Sequence, residues 1–122
     1  MRKLRKIDGS CAVVALFFVS KLSEDIVIDI CKDHGFEVGR GMTDDEWKAA
    51  AGSLGIKLRS VPLSPMKLRR FLHDYPRGLY LVTTCNHLFA VEGGIIIDPN
   101  NLYHPGLDRI VKGAWRVVKK RL

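Results

Sequence analysis

Cys11 stands at the start of an apolar segment that runs without a break to Val19, directly after the tripeptide Asp8-Gly9-Ser10. Such a segment is typical of a buried helix, here one that begins at Ser10 or Cys11. The backbone N–H groups at the start of a helix, and the positive end of its dipole, would point at the sulfur and favour the thiolate. The position therefore predicts a nucleophilic cysteine, although an isolated cysteine in an apolar run is more often a core thiol.

A second group of chemically active residues lies in a predicted β-hairpin, in which two apolar, β-branched runs flank a glycine-containing turn. If Glu92-Gly93 forms the two-residue loop, His87 lies opposite Asp98. If Gly93-Gly94 forms it, the register slips and Asp98 lies opposite Phe89. The first register is the one that brings a carboxylate to an imidazole, because directly opposed side chains have Cβ atoms about 4.5–5.5 Å apart.

These residues together predict a Cys-His-Asp catalytic triad. A carboxylate at Asp98, hydrogen-bonded to one ring nitrogen of His87, fixes the tautomer and leaves the other nitrogen to take a proton from Cys11. The cysteine then attacks a carbonyl carbon, and the histidine returns the proton to the leaving group. This chemistry requires no metal ion and no organic cofactor.

In order and spacing, these residues resemble the papain-like cysteine peptidase clan in a minimal form. The segment from Gly78 to His87, followed by Gly93 to Asp98, is similar to the G-x-x-x-V…H-x-x-x-V…G…D core of bacteriocin-leader peptidases and their phage and bacterial relatives. The lead-in to Cys11 also resembles the D-G-x-C nucleophile motif of ovarian-tumour-type deubiquitinases. The resemblance implies a papain-like fold and a peptidase that cleaves a peptide or isopeptide bond in a protein or peptide substrate. Acyltransferases and deamidases use the same Cys-His-Asp residues, so the sequence leaves these two reactions open as alternatives.

One departure from the papain-like pattern concerns the oxyanion hole. These enzymes usually carry a Gln about six residues before the nucleophile, but this chain has no Gln and Arg5 holds that position. Donors would then come from backbone N–H groups at Cys11 and near Asp8, or from the side chain of Asn86. The alternative is a catalytically inactive binding module of the same fold.

Length and composition predict a single domain over residues 1–122. The chain is 47% hydrophobic and has no low-complexity stretch or Pro/Ser/Gly-rich linker. Its net charge is +7, concentrated at the two ends, so a small basic nucleic-acid-binding protein is a second, less favoured alternative. Such a protein would bind in a strongly salt-dependent way and would not need Cys11.

The expected location is the cytoplasm, with no membrane association. The apolar run after the basic start is too short for the ~18–20 residues that span a bilayer, and no small-residue cleavage site follows it. An odd number of cysteines, three, favours free thiols in a reducing compartment.

Three further helices are predicted after the Cys11 helix. Ser23 caps the second, which Gly35 ends, and Thr43-x-x-Glu46 forms a capping box at the start of the third. The fourth begins at Ser64-Pro65 and is broken by Pro76. The buried face of the second helix is predicted to carry four residues: Ile26, Val27, Ile30 and Cys31.

The predicted strands are residues 56–61, 79–84, the two arms of the hairpin and 114–118. Helices first and an antiparallel sheet second define an α+β fold, with the helix of Cys11 packed against the sheet that carries His87. Of the other candidate residues, His104 is a rival base. Trp47 and Trp115 are predicted to pack in the core or at its edge, and Trp115 is also a candidate floor for a substrate cleft. Zinc binding around Cys85 is not predicted, because structural zinc sites usually need two spaced pairs of ligands.

Overall fold

The computed structural model describes residues 11–37, 40–85, 87–97 and 106–118. These contain four helices and a five-stranded antiparallel sheet, which confirms the α+β class predicted from the sequence. In chain order the elements are α1 (Cys11–Ser20), α2 (Glu24–Asp33), α3 (Asp44–Ser53), β1 (Lys57–Ser60), α4 (Leu68–Asp74), β2 (Leu79–Thr84), β3 (His87–Glu92), β4 (Ile95–Ile97) and β5 (Gly113–Val118).

The sheet has the strand order β1-β5-β2-β3-β4, so the last strand lies between the first and the second. Strand β2 is central and pairs with β3 on one side and with β5 on the other. This order leaves the turn between β2 and β3 at one end of the sheet, next to the segment that leads into β5.

Both faces of the sheet are buried. Leu81, Leu88 and Ala90 belong to the apolar cluster that includes α1, α2 and α3. Val82 and Phe89, which alternate with them along the strands, belong to a second cluster with α4. Helix α1 is apolar on all sides because it packs against β3, α2 and α3 at once.

The helix starts predicted for α2 and α3 are confirmed. The hydroxyl of Ser23 accepts a hydrogen bond from the backbone N–H of Ile26, at 3.4 Å. Thr43 and Glu46 form the capping box, with reciprocal bonds of 3.2 and 2.9 Å between side chains and backbone N–H groups. The predicted buried face of α2 is confirmed at Val27 and Cys31 but wrong at Ile26, which is 46% exposed, because the helix turns Ile28 toward the core instead.

Helix α4 begins at Leu68, several residues after the predicted start at Ser64-Pro65. The reason lies in the 106–110 segment, which supplies backbone acceptors to the helix start. The N–H of Leu68 donates to the carbonyl of Arg109 at 2.8 Å, and that of Arg69 donates to the carbonyl of Leu107 at 2.9 Å. These carbonyls satisfy N–H groups that a helix start leaves without partners, a role that a side-chain cap usually has.

Within the part of the chain that the structure describes, no helix has both the length and the apolar character needed to cross a bilayer.

Candidate active site

Cys11 and His87 line the same cleft, which has a volume of about 630 Å³. Each is the first residue of its element, Cys11 of α1 and His87 of β3. The start of α3 and the end of β2 form further walls of this cleft. Packing of α1 against β3 thus places the two predicted reactive groups at one opening, although they lie far apart in the sequence.

Cys11 is held by the burial of the helix that follows it. Ala12 and the next five residues of α1 are all buried, whereas Cys11 itself is half-buried and lies on the cleft. A helix locked on all sides gives its first residue a defined position.

His87 is held by the β2–β3 hairpin and by an aromatic neighbour. It pairs with Thr84, the last residue of β2. Its ring lies against that of Phe89, with ring centroids 5.4 Å apart and the planes tilted by 31°. The Nε2 atom of His87 is buried, so one ring nitrogen lies inside the protein while the residue as a whole also borders the cleft.

The alternation of side chains along β3 shows how His87 reaches the cleft. Leu88 and Ala90 point toward α1, whereas Phe89 packs with α4 on the opposite face of the sheet. His87 shares the side of Phe89 and lies at the strand end, where the sheet stops. Cys11 and His87 therefore approach the cleft from different faces of the sheet, which the sequence did not predict.

The turn between β3 and β4 differs from the predicted one. Glu92 pairs with Ile95, so the two-residue loop is Gly93-Gly94 and not Glu92-Gly93. Both glycines have positive φ, 61° and 77°, as a type I′ hairpin turn requires at its two central positions. Glycine adopts this conformation without steric cost, whereas Glu92 in the loop would be strained.

The predicted pairing of His87 with Asp98 is therefore wrong, because it requires the other β3–β4 register. Ala90 faces Ile97, which is the register of the second predicted alternative, the one with Gly93-Gly94 as the loop. Asp98 itself lies outside the described residues. A role for Asp98 in orienting the imidazole stays a prediction, and cross-strand pairing with His87 is not the arrangement that would provide it.

The predicted oxyanion donors Asp8 and Asn86, and the rival base His104, also lie outside the described residues. What the described chain does offer is the start of α1, beginning with the N–H of Cys11. The N–H groups of a first helical turn have no acceptor within the helix. Backbone donors of this kind stabilise a developing oxyanion when they lie about 3 Å from it.

Trp47, predicted to pack in the core, does so and also lines the cleft. Its indole N–H donates to a carboxylate oxygen of Asp44 at 3.0 Å. The ring of Trp115 meets it edge-on, with centroids 5.1 Å apart, but Trp115 does not line the cleft. Trp115 packs against the apolar cluster that includes α1, α2 and α3, as predicted, and it is not among the residues that line the cleft, so the structure does not support it as the floor.

Sequence reasoning missed two cationic residues of the cleft, Arg40 and Lys112. Arg40 donates to both carboxylate oxygens of Glu46 at 3.0 Å and to the carbonyl of Gly35. The backbone N–H of Thr43 and then Arg40 lower the pKa of Glu46. Lys112, in contrast, is exposed, and no salt bridge joins it to any acidic side chain of the described ranges. No local sequence signal marks Lys112 as a residue of the cleft that Cys11 lines.

The three cysteines have different surroundings. Cys31 is fully buried in the core, as predicted, and burial raises its pKa to about 11. Cys85 is exposed in the β2–β3 turn and lines the same cleft as Cys11. The cleft thus contains two thiols, of which only that of Cys11 lies at a helix start.

No group of three or more His, Cys, Asp or Glu side chains in the described segments is arranged to hold a metal ion. Comparison of the chain with protein-family models, with curated proteins and with solved structures finds no match.

Proposed function

We propose that this protein is a papain-like cysteine hydrolase that cleaves peptide or isopeptide amides. The observation that carries the proposal is the shared cleft of Cys11 and His87, one at the start of a buried helix and the other at a strand end. Nucleophilic catalysis needs a thiol that is stabilised as the thiolate and a base that can take its proton. A helix carrying the cysteine, packed against a sheet carrying the histidine, is also the arrangement that the family resemblance implies.

The reaction would run in two steps. The sulfur of Cys11 attacks the scissile carbonyl carbon while His87 holds the proton, and backbone N–H groups at the start of α1 stabilise the oxyanion. His87 then protonates the leaving amine as the C–N bond breaks, which leaves a thioester on Cys11. In the second step His87 takes a proton from water, the resulting hydroxide attacks the thioester, and the acid product and the thiol are released.

The walls of the cleft suit a peptide segment. The lining combines the apolar side chains of Trp47, Met42 and Leu88 with two threonines. The hydroxyl of Thr43 caps α3, and that of Thr83 donates to the carbonyl of Gly113. A volume of about 630 Å³ is within the range of roughly 300–1,000 Å³ that small-ligand sites occupy.

The proposal is tested by the pH dependence of Cys11 alkylation with iodoacetamide. The experiment uses a Cys85→Ala background, because Cys85 is exposed in the same cleft. The rate is followed by peptide-mapped mass spectrometry, with buried Cys31 as an internal control for unfolding. We expect alkylation of Cys11 to set in well below about pH 8.5, the value near which an ordinary thiol becomes reactive. In His87→Ala, the alkylation of Cys11 should shift to the pH of an ordinary thiol. Equal profiles for the two proteins would overturn the proposed Cys-His pair.

A catalytically inactive binding module of the same fold is the second candidate, favoured by one observation, the absence of any Gln in the chain. Loss of a single oxyanion donor costs about 3 kcal/mol of transition-state stabilisation in enzymes where it has been removed. The module predicts an ordinary thiol at Cys11 that does not respond to His87→Ala. The alkylation profile therefore distinguishes the two candidates before any substrate is known.

A further inference from the structure

The charged groups of the cleft differ in whether an opposite charge, a hydrogen bond or a helix dipole already stabilises them. Arg40 is bound to Glu46 through both carboxylate oxygens. Asp44 accepts a hydrogen bond from Trp47 and lies in the first turn of α3, where the helix dipole favours a negative charge. Among the described residues, Lys112 has no acidic partner of this kind. Its side chain is exposed to solvent at the edge of the cleft that it lines.

The main chain at Lys112 is held firmly. Its backbone N–H donates to the carbonyl of Thr83 at 2.8 Å, and the preceding residue, Val111, is buried and donates to the carbonyl of Met66 at 2.9 Å. Thr83 itself is a buried residue of β2 that lines the cleft. The long side chain of Lys112 thus starts from a fixed point beside Thr83, in the cleft that Cys11 and His87 also line.

We propose that Lys112 makes the cleft selective for substrates that carry a carboxylate beside the scissile amide. This inference rests on the proposed function and names its substrate class, an acidic peptide. An ammonium group attracts a carboxylate most strongly where neighbouring charges do not already neutralise it. Among the described residues that line this cleft, Lys112 is the cation that meets this condition, since Arg40 is bound to Glu46.

The test compares two alkylating probes of nearly equal shape, iodoacetate and iodoacetamide, which differ in carrying a carboxylate or a neutral amide. Each reacts in the same way: the thiolate sulfur of Cys11 bonds to the methylene carbon, and iodide leaves with the electrons of the C–I bond. The ratio of the two rate constants therefore reports the local charge, because any change in the thiolate fraction cancels. All variants carry Cys85→Ala.

We expect Lys112→Met to lower the iodoacetate-to-iodoacetamide ratio about threefold at low ionic strength, and Lys112→Arg to keep it. The matched control is Lys57→Met, which removes the same charge from an exposed position of the edge strand β1, outside the cleft. High salt should reduce the difference between wild type and Lys112→Met. Two larger probes identify the kind of carboxylate that Lys112 attracts. Iodoacetyl-aspartate amide carries a side-chain carboxylate, and iodoacetyl-glycine carries a chain-terminal one. The probe whose alkylation rate falls more in Lys112→Met is the better match.

A ratio that is the same in wild type and Lys112→Met, or that falls equally in Lys57→Met, would overturn the role of Lys112. This failure is separate from failure of the proposed function. Loss of the Cys-His pair appears as insensitivity of the pH profile to His87→Ala, whereas the probe ratio depends only on charge near Cys11.

Discussion

The imidazole of His87 packs against the ring of Phe89 at a centroid distance of 5.4 Å, on the face of the sheet that is turned away from α1. Phe89 thus contacts the proposed base without lining the cleft that the base borders. A buried neighbour of this kind limits the rotation of the imidazole and makes Phe89 a positioning residue.

Replacing Phe89 by Leu tests this role. We expect Phe89→Leu to lower the free energy of unfolding by about 1 kcal/mol, because the leucine does not fill the space of the phenylalanine ring in the packed core. We also expect a rise in the pH at which iodoacetamide alkylates Cys11, because the histidine is less well oriented. The control is Val91→Ala, further along the same face of β3 and also fully buried. If both variants lose stability but neither shifts the profile, the contact with Phe89 is only structural.

Asp98→Asn tests the predicted orienting carboxylate, which lies outside the described residues. An amide cannot stabilise the imidazolium, so the alkylation profile of Cys11 should move toward that of an ordinary thiol. Asp108→Asn is the matched control, since Asp108 is exposed and its carboxylate bonds to Arg69 at 3.2 Å. An unchanged profile in Asp98→Asn would leave the residue with a turn role before Pro99 and no part in catalysis.

The buried thiol of Cys31 predicts a loss of stability at alkaline pH. Burial raises its pKa in the folded protein to about 11, well above that of an ordinary thiol. The folded state therefore binds this proton more tightly, and the stabilisation present below pH 9 is lost as the pH rises toward 11. We expect this loss to amount to about 2–3 kcal/mol in the free energy of unfolding.

Denaturant unfolding at pH 7 and pH 10.5 measures this difference. Cys31→Ala should show a smaller alkaline loss than the wild type, although it is less stable at pH 7. Cys85→Ala, which removes an exposed thiol, should keep the wild-type loss. The same alkaline loss in Cys31→Ala would assign the effect to other groups, such as lysine or tyrosine.

The Gly93-Gly94 turn gives a prediction for the hairpin register. A Cβ atom on Gly94 would lie 3.3 Å from the backbone carbonyl oxygen of Leu72, and φ there is positive. Gly94→Ala should therefore cost about 1–2 kcal/mol of stability. Gly93→Asn should be nearly neutral, because no atom lies within 4 Å of the added Cβ and Asn tolerates this conformation. Equal effects in denaturant unfolding would contradict the described turn.

Local signals in the sequence were sufficient for much of the fold. The capping box at Thr43 and Glu46 and the N-cap at Ser23 act between residues three apart, so their effect is visible without knowledge of the tertiary structure. The strand over residues 79–84 has the bounds that the sequence predicts, because its continuous apolar and β-branched run is bordered by turn residues. The start of α4 was not predictable, since its N–H groups bond to carbonyls of the distant 106–110 segment.

The sequence by itself determined the reactive residue types, the helix that presents Cys11 and the strand that begins at His87. Only the tertiary structure decided that these two residues share a cleft with Trp47 and Lys112, and that the β3–β4 register turns at Gly93-Gly94. The physical reason is the distance along the chain over which each kind of interaction acts. Helix caps and apolar periodicity depend on neighbours along the chain, whereas the cleft depends on how α1, α3 and the sheet pack across long sequence separations.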